Sequence, residues 1–222
     1  MMQIQLSNVI VDNCQQLIVS AISCHVVNTS YDAELWNEIN ALEKEIQDTC
    51  SIESINKFSP IFATRQAYKK LGKDPNRYRP SAEALRRRVV RGLPLYQINT
   101  LVDVINLISL KSGYSIGGFD ADKIQENLEL GVGREGELYE GIGRGILNIE
   151  GLPVYRDSIG GIGTPTSDEE RTKIDMQTTR LLMLINAYSG LENLTETTKY
   201  AIDLLKHYCN AKEIENRLIT RK

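Results

Sequence analysis

Apolar and polar positions along this chain follow two different periods. Residues 16–27 (QLIVSAISCHVV) are dense in β-branched side chains, which predicts a strand. From Asp32 to Gln47 the period becomes helical, with Leu35, Trp36, Ile39, Leu42 and Ile46 on one face. Residues 60–71 predict a second helix, ended by Gly72. Pro75 and Pro80 bracket a basic loop, DPNRYRP. A third helix opens at Pro80-Ser81, with Ser81 as the expected N-cap and Gly92 as its stop.

The segment Asn99 to Ser112 is apolar all round. Leu101, Val102, Val104, Ile105, Leu107, Ile108 and Leu110 point in every direction, so this helix is expected to be buried. Asn99, Asp103 and Asn106 share one side of it. A buried carboxylate needs partners. Two readings stand: the polar stripe lines a site, or Asp103 and Asn106 tie down neighbouring loops. Between Tyr114 and Tyr155 short strands and hairpins are expected, with candidates at 127–132, 136–140 and 145–149. Residues 181–188 (LLMLINAY) read as a buried strand or as part of a helix, and periodicity does not separate the two. Thr195–Tyr208 predicts a helix with Ala201, Leu204, Leu205 and Tyr208 inward.

Composition narrows the class. The 222 residues are 41% hydrophobic and 25% charged, with a net charge of -3, which excludes disordered, collagenous and coiled-coil chains. A near-neutral total also excludes a uniformly basic nucleic-acid coat. The charge is uneven, however. Ten bases and two acids between Arg65 and Arg91 make that segment +8, so the remainder carries -11. Tyr68 and Tyr78 are interleaved with the bases. Such a stripe suits a phosphate backbone with stacked bases, or is a solvated helix face. Glycine is clustered as well: 13 of 16 lie between Gly113 and Gly163. The first basic side chain is Lys44, so a secretory leader is not expected. The longest apolar run, Leu181–Ile185, is far short of the roughly 20 residues of a membrane span. Cys14, Cys24, Cys50 and Cys209 form no close pairing motif, and a cytoplasmic protein with reduced thiols is the expectation.

Most chemical motifs fail on context. GVGREG (Gly131–Gly136) has dinucleotide-type glycine spacing, but ELYEGIGRG cannot open the helix that would hold a pyrophosphate. It predicts a hairpin instead. Cys24-His25 and His207-x-Cys209 lack zinc-ligand spacing, so no metal or other cofactor is expected. No nucleophile elbow occurs. GGIGTPTS (Gly160–Ser167) offers flexible backbone, two threonine hydroxyls and free N–H groups that suit a carboxylate, an ester carbonyl or a water, or it is a plain surface loop.

Taken together, SAEALRRRVVRGLPLYQINTLVDVINLISLKSGYSIGGFDADKI, GELYEG and DSIGGIGTPTSDEERT resemble the B3/B4 domain of the bacterial phenylalanyl-tRNA synthetase β subunit. The likeness is strongest over about 80–175. The helices over 30–79 and the chain's end resemble freestanding members of the family. The resemblance implies one domain over 1–222 with a three-layer α/β (α+β) fold, a mixed β-sandwich core flanked by helices. It also implies tRNA as partner, without a membrane, and an editing activity: water hydrolyses the ester of a mischarged aminoacyl-tRNA in a pocket that requires no metal. Many synthetase versions carry a histidine two residues before the FDADK phenylalanine, where this chain has Gly117. That change widens the expected pocket and removes a donor. A trans-acting aminoacyl-tRNA deacylase is therefore set against a non-catalytic module that binds tRNA, an amino acid or a nucleotide. The expected pocket is framed by Asn99, Asp103, Gly117, Gly118, Asp120, Gly163, Thr164 and Thr166. The expected RNA path runs over Lys69, Lys70, Arg77, Arg79, Arg86, Arg87, Arg88 and Arg91. No general base is assigned.

Overall fold

The apolar run at 181–185 is a strand, and its neighbours bury it on both faces. In the computed structural model, which describes residues 2–221, this strand occupies Arg180–Ala187. Leu181, Met183 and Ile185 face a helical layer, while Leu182 and Leu184 face a second sheet. A strand covered on both sides has no polar face to reveal its period. Met1 and Lys222, the ends of the expected 1–222 domain, lie outside the described residues.

In chain order the elements begin with β1 (Ile4–Leu6), α1 (Asn8–Asn13), β2 (Ile18–His25) and α2 (Ala33–Thr49). Then come α3 (Ile52–Ile55), α4 (Ser59–Lys70), α5 (Ser81–Val90), α6 (Thr100–Ser112) and β3 (Ser115–Asp120). The glycine-rich middle holds β4 (Leu128–Val132), β5 (Glu140–Gly141), β6 (Gly145–Ile146), β7 (Pro153–Arg156) and β8 (Gly161–Gly163). The chain closes with β9 (Arg180–Ala187), α7 (Leu194–Cys209) and β10 (Lys212–Ile219).

One sheet has the order β10-β2-β9-β3 and is antiparallel throughout. The other has the order β1-β4-β7-β8, parallel only between β1 and β4. The two sheets enclose Val19, Ala21, Phe119, Leu128, Leu130, Tyr155, Ile162, Leu182 and Leu184. Helices α2, α5, α6 and α7 cover the outer face of the first sheet around Trp36, Val89, Leu101, Ile108, Met183 and Leu205. The result is three layers: helices, sheet, sheet. Hydrophobicity alone cannot set the register of β9, so polar groups do it. Asn186 accepts from the Tyr155 hydroxyl at 2.6 Å and donates to the Ser115 carbonyl at 3.1 Å. On β2, Ser20 bonds Thr198 of α7 at 2.9 Å.

Local signals place most helix ends. Asp32 caps α2 by accepting from the Leu35 N–H. Asn99 caps α6, and Gly113 ends it with a left-handed φ of 77° that a side chain would strain. Gly92 follows α5 as expected, but its N-cap is Pro80 rather than Ser81. Ser81 instead uses its N–H to bond the Pro165 carbonyl at 2.8 Å, which ties α5 to the glycine loop. Two sequence expectations shift in the middle. No helix follows GVGREG, but β4 pairs with β7, and residues 136–140 reach only the small β5–β6 hairpin. Strands β1 and β10 are absent from the sequence reading. β10 is an exposed, charged edge (KEIENRLI) with no apolar alternation to mark it.

Candidate functional site

A cavity of about 460 Å³ opens where the ends of three elements meet the glycine loop. Helix α5 presents Ser81, Ala84 and Leu85, and α6 presents Val102, Ile105, Asn106 and Ser109. Both sets follow the three- and four-residue spacing of one helix face. Strand β3 adds Ile116 and Gly118, and Ile98, Ile142 and Ile174 complete an aliphatic wall. The polar side comes from Thr164, Ser167 and Asp168, with Arg144 and Lys173 also at the lining.

Asp168 is the chemically distinctive group. Its Oδ2 accepts the Gly118 N–H at 3.1 Å, and no cation pairs with it among the described residues. Desolvation pushes its pKa from 3.8 up to about 7, against the lowering effect of that one hydrogen bond. The carboxyl is thus poised to exchange a proton near neutrality. Lys173 is held by Glu170 at 2.5 Å, whereas Arg144 is exposed and makes no ion pair among the described residues.

The glycine loop is pinned rather than flexible. Thr164 Oγ1 accepts from the N–H groups of Thr166 and Ser167 and donates to the Ser167 carbonyl. Tyr139 donates its hydroxyl to the same carbonyl at 2.6 Å, and Tyr68 bonds the Thr166 hydroxyl at 2.9 Å. Burial holds both phenols well above their ordinary pKa, so they stay protonated. Both threonine hydroxyls already have partners, Thr164 inside the loop and Thr166 on Tyr68 of α4.

Of the expected pocket residues, Gly118 and Thr164 line the cavity and six do not. Asn99 is the α6 cap, its side chain accepting from Val102 N–H at 3.0 Å. Asp103 accepts from Trp36 Nε1 at 2.9 Å and from Ile98 N–H at 3.1 Å, which is the loop-tying alternative. Asp120 accepts from Thr178 Oγ1 and from Asp122 N–H. Thr166 faces Tyr68. Gly117 does not widen the cavity, because the Phe119 ring folds into the space: a Cβ at Gly117 would stand 2.7 Å from it. Gly163 borders the same ring and Asp168 Oδ1. Asn106, part of the polar stripe on α6, does line the cavity, and its side chain has no hydrogen-bond partner among the described residues.

These glycines give a contrast. Gly163→Ala sets a methyl against a rigid ring and 2.9 Å from a carboxylate oxygen, and is expected to cost about 1–3 kcal/mol. Gly118→Ala meets only the side-chain tips of Ile105 and Ile174, and is expected to change stability by less than about 1 kcal/mol while narrowing the cavity. Urea midpoints of the two variants check this ordering.

The basic segment is not a continuous stripe. Arg65, Arg79 and Arg87 converge on buried Glu83 at 2.8, 3.5 and 2.7 Å. Arg86 is buried over the Phe58 ring at 4.2 Å and donates to the Lys111 carbonyl. Desolvation lowers its pKa. Lys73 is spent on the carbonyls of Asn148 and Glu150. Arg88 stacks on Tyr96 at 3.8 Å. Lys69, Lys70, Arg77 and Arg91 are exposed. Charge reversal across 86–88 would therefore break packing before it tested any RNA contact. His25 and His207 are exposed beside Glu213 and Glu34, while Cys24 and Cys209 are core residues.

Asp168 was missed because its significance comes from strands distant in sequence. The available signal was an acid directly after a serine-threonine loop.

Comparison with known proteins places this geometry. The phenylalanine–tRNA ligase beta subunit of Bartonella henselae is 31% identical over 118 residues, which are 49% of this chain and 14% of that protein. The chain thus matches a small part of that relative's length. A crystal structure of an N-terminal fragment of the phenylalanyl-tRNA synthetase beta subunit from Pyrococcus horikoshii aligns with a TM-score of 0.50 at 12% identity, over 99% of this chain and 54% of that one. At that identity the likeness is one of fold, and it agrees with the three layers described above. The family model described as the B3/4 domain matches residues 63–217, which takes in α5, α6, the glycine loop and Asp168. The chain belongs to the B3/4 domain family.

Proposed function

We propose that this chain binds the aminoacylated 3′ end of tRNA and hydrolyses the ester of mischarged species. One observation carries the reading: an unpaired carboxyl, Asp168, stands at the edge of an aliphatic cavity with its pKa pushed up to about 7. The wall of Leu85, Ile98, Val102, Ile105, Ile116, Ile142 and Ile174 suits the apolar part of an aminoacyl group. Arg144 suits a backbone phosphate at the mouth. Membership of a family whose relatives include tRNA ligase subunits supports tRNA as the partner.

In this reading Asp168 takes a proton from a water as the water oxygen attacks the ester carbonyl. The acyl–oxygen bond then breaks, and the proton passes to the departing ribose oxygen. The products are a free amino acid and uncharged tRNA. Asn106 and Ser81 face the same space and supply donors to the reacting group. The test is incubation with a panel of mischarged tRNAs. Acceleration of at least one ester by roughly 100-fold over buffer is expected. Absence of acceleration with every member overturns hydrolysis, and binding without turnover would assign the non-catalytic alternative.

A further inference from the structure

A second cavity, of about 610 Å³, lies between α1, α4 and the turn after β9, and shares no lining residue with the first. Its volume falls in the range of small-molecule clefts, about 300–1,000 Å³. Its chemistry is different from the aliphatic pocket. Gln16 and Gln66 line it, and neither side chain makes a hydrogen bond among the described residues. Gln66 is half-buried, so its amide is partly desolvated without a partner. Tyr188 also lines the cavity, is only 6% exposed, and its hydroxyl has no hydrogen-bond partner among the described residues. A ligand or water is needed to satisfy such groups.

Three further side chains say what kind of ligand fits. Phe62 stands at the lining with half of its surface exposed, a flat apolar face with nothing stacked on it among the described residues. Lys70 lies two turns further along the same face of α4, exposed and without an ion pair among the described residues. Cys14 lines the cavity as well, and the Lys70 charge opposes part of the upward shift that burial gives its thiol. Glu192 lines the cavity from the turn after β9. An aromatic face, carboxamides with donors and acceptors, one cation and one carboxylate match the face, edge and phosphate of a nucleotide. The carboxylate adds selectivity, because it accepts from an exocyclic amine such as cytosine N4 and repels a carbonyl at that position.

We propose that this second cavity binds a single unpaired nucleotide whose base carries an exocyclic amine, stacked on Phe62 and read by Gln66 and Glu192, with its phosphate toward Lys70. The proposal does not depend on the hydrolytic reading of the Asp168 cavity. Titration of the isotope-labelled full chain with cytidine and uridine monophosphates, followed by NMR, tests it. Cytidine monophosphate is expected to bind at least about fivefold more tightly than uridine monophosphate. Phe62→Leu and Gln66→Leu are each expected to weaken it roughly fivefold or more. Lys70→Gln is expected to weaken cytidine monophosphate but not cytidine. Asp168→Asn is expected to leave this binding unchanged. Phe62 and Lys70 are exposed, so their variants keep the fold. The trinucleotide CpCpC separates the sources. Tighter, salt-sensitive binding identifies an RNA segment, and equal binding identifies a free nucleotide. Failure of cytidine monophosphate to saturate, equal affinity for the two monophosphates, or indifference to Phe62→Leu would overturn the proposal.

Discussion

Replacing Glu83 by alanine is expected to destabilise the chain by about 3–5 kcal/mol. The carboxylate is fully buried on α5, and it receives Arg65 Nη1 at 2.8 Å and Arg87 Nε at 2.7 Å, with Arg79 Nε at 3.5 Å. Arg65 also donates to the Pro75 carbonyl and to Asn76 Oδ1, so one guanidinium joins α4, the proline-bracketed loop and α5. Removing Glu83 leaves two largely buried cations facing each other with no counter-charge. That penalty exceeds the worth of any single surface pair, typically about 0–1 kcal/mol. Glu83→Gln keeps the volume and one acceptor, and is expected to cost roughly 1.5–3 kcal/mol. Urea unfolding of both variants checks the order. A loss below about 1 kcal/mol for Glu83→Ala would show that the arginines find solvent instead, and that this cluster does not anchor α5 against α4.

The same cluster shows why charge was the least readable feature of the sequence. Composition registers ten bases and two acids between Arg65 and Arg91. It does not register that one of those acids sits at the centre. Arg87 follows Glu83 by four residues on α5, a spacing that helix geometry makes visible, whereas Arg79 reaches it from just before the helix. Arg65 arrives from another helix, and no local pattern predicts it. Helix α6 was readable for the opposite reason. Its cap, its apolar surface and its terminal glycine are all local, and each agrees with the others. Asp103 needed partners by elementary electrostatics, but their names, Trp36 and Ile98, required the fold. At Gly117 the sequence shows a missing side chain. It cannot show that Phe119, two residues on and therefore on the same face of β3, occupies the gap. Close packing makes a vacancy in sequence a poor guide to a vacancy in space.

Asp168→Asn is expected to lower the deacylation rate by about 100- to 10,000-fold, the usual contribution of a positioned base. The pH profile carries the sharper test. If Asp168 removes the proton from water, the reactive form is the carboxylate. The rate with the unmodified chain should then rise with pH and level off above about 7, where desolvation has placed this group. The variant should be slow and flat across that range. Stability should move in the opposite sense. The folded chain binds this proton more tightly than the unfolded chain, whose aspartate has the ordinary value of 3.8. The stability associated with the proton is present below about 4 and lost as pH rises through about 7. The carboxamide that replaces Asp168 carries no charge to desolvate, so the variant should gain on the unmodified chain at pH 8.5, by roughly 2 kcal/mol once exposure to the open cavity is allowed for. At pH 4 the two should be nearly equal. A slow variant with that gain places Asp168 as a base held at an energetic cost to the fold. A variant that keeps full rate and the same rising profile places the base elsewhere in the cavity. A variant with neither a rate loss nor a pH-dependent gain would mean that the carboxyl is better solvated than its neighbours imply, and the hydrolytic reading would lose its support.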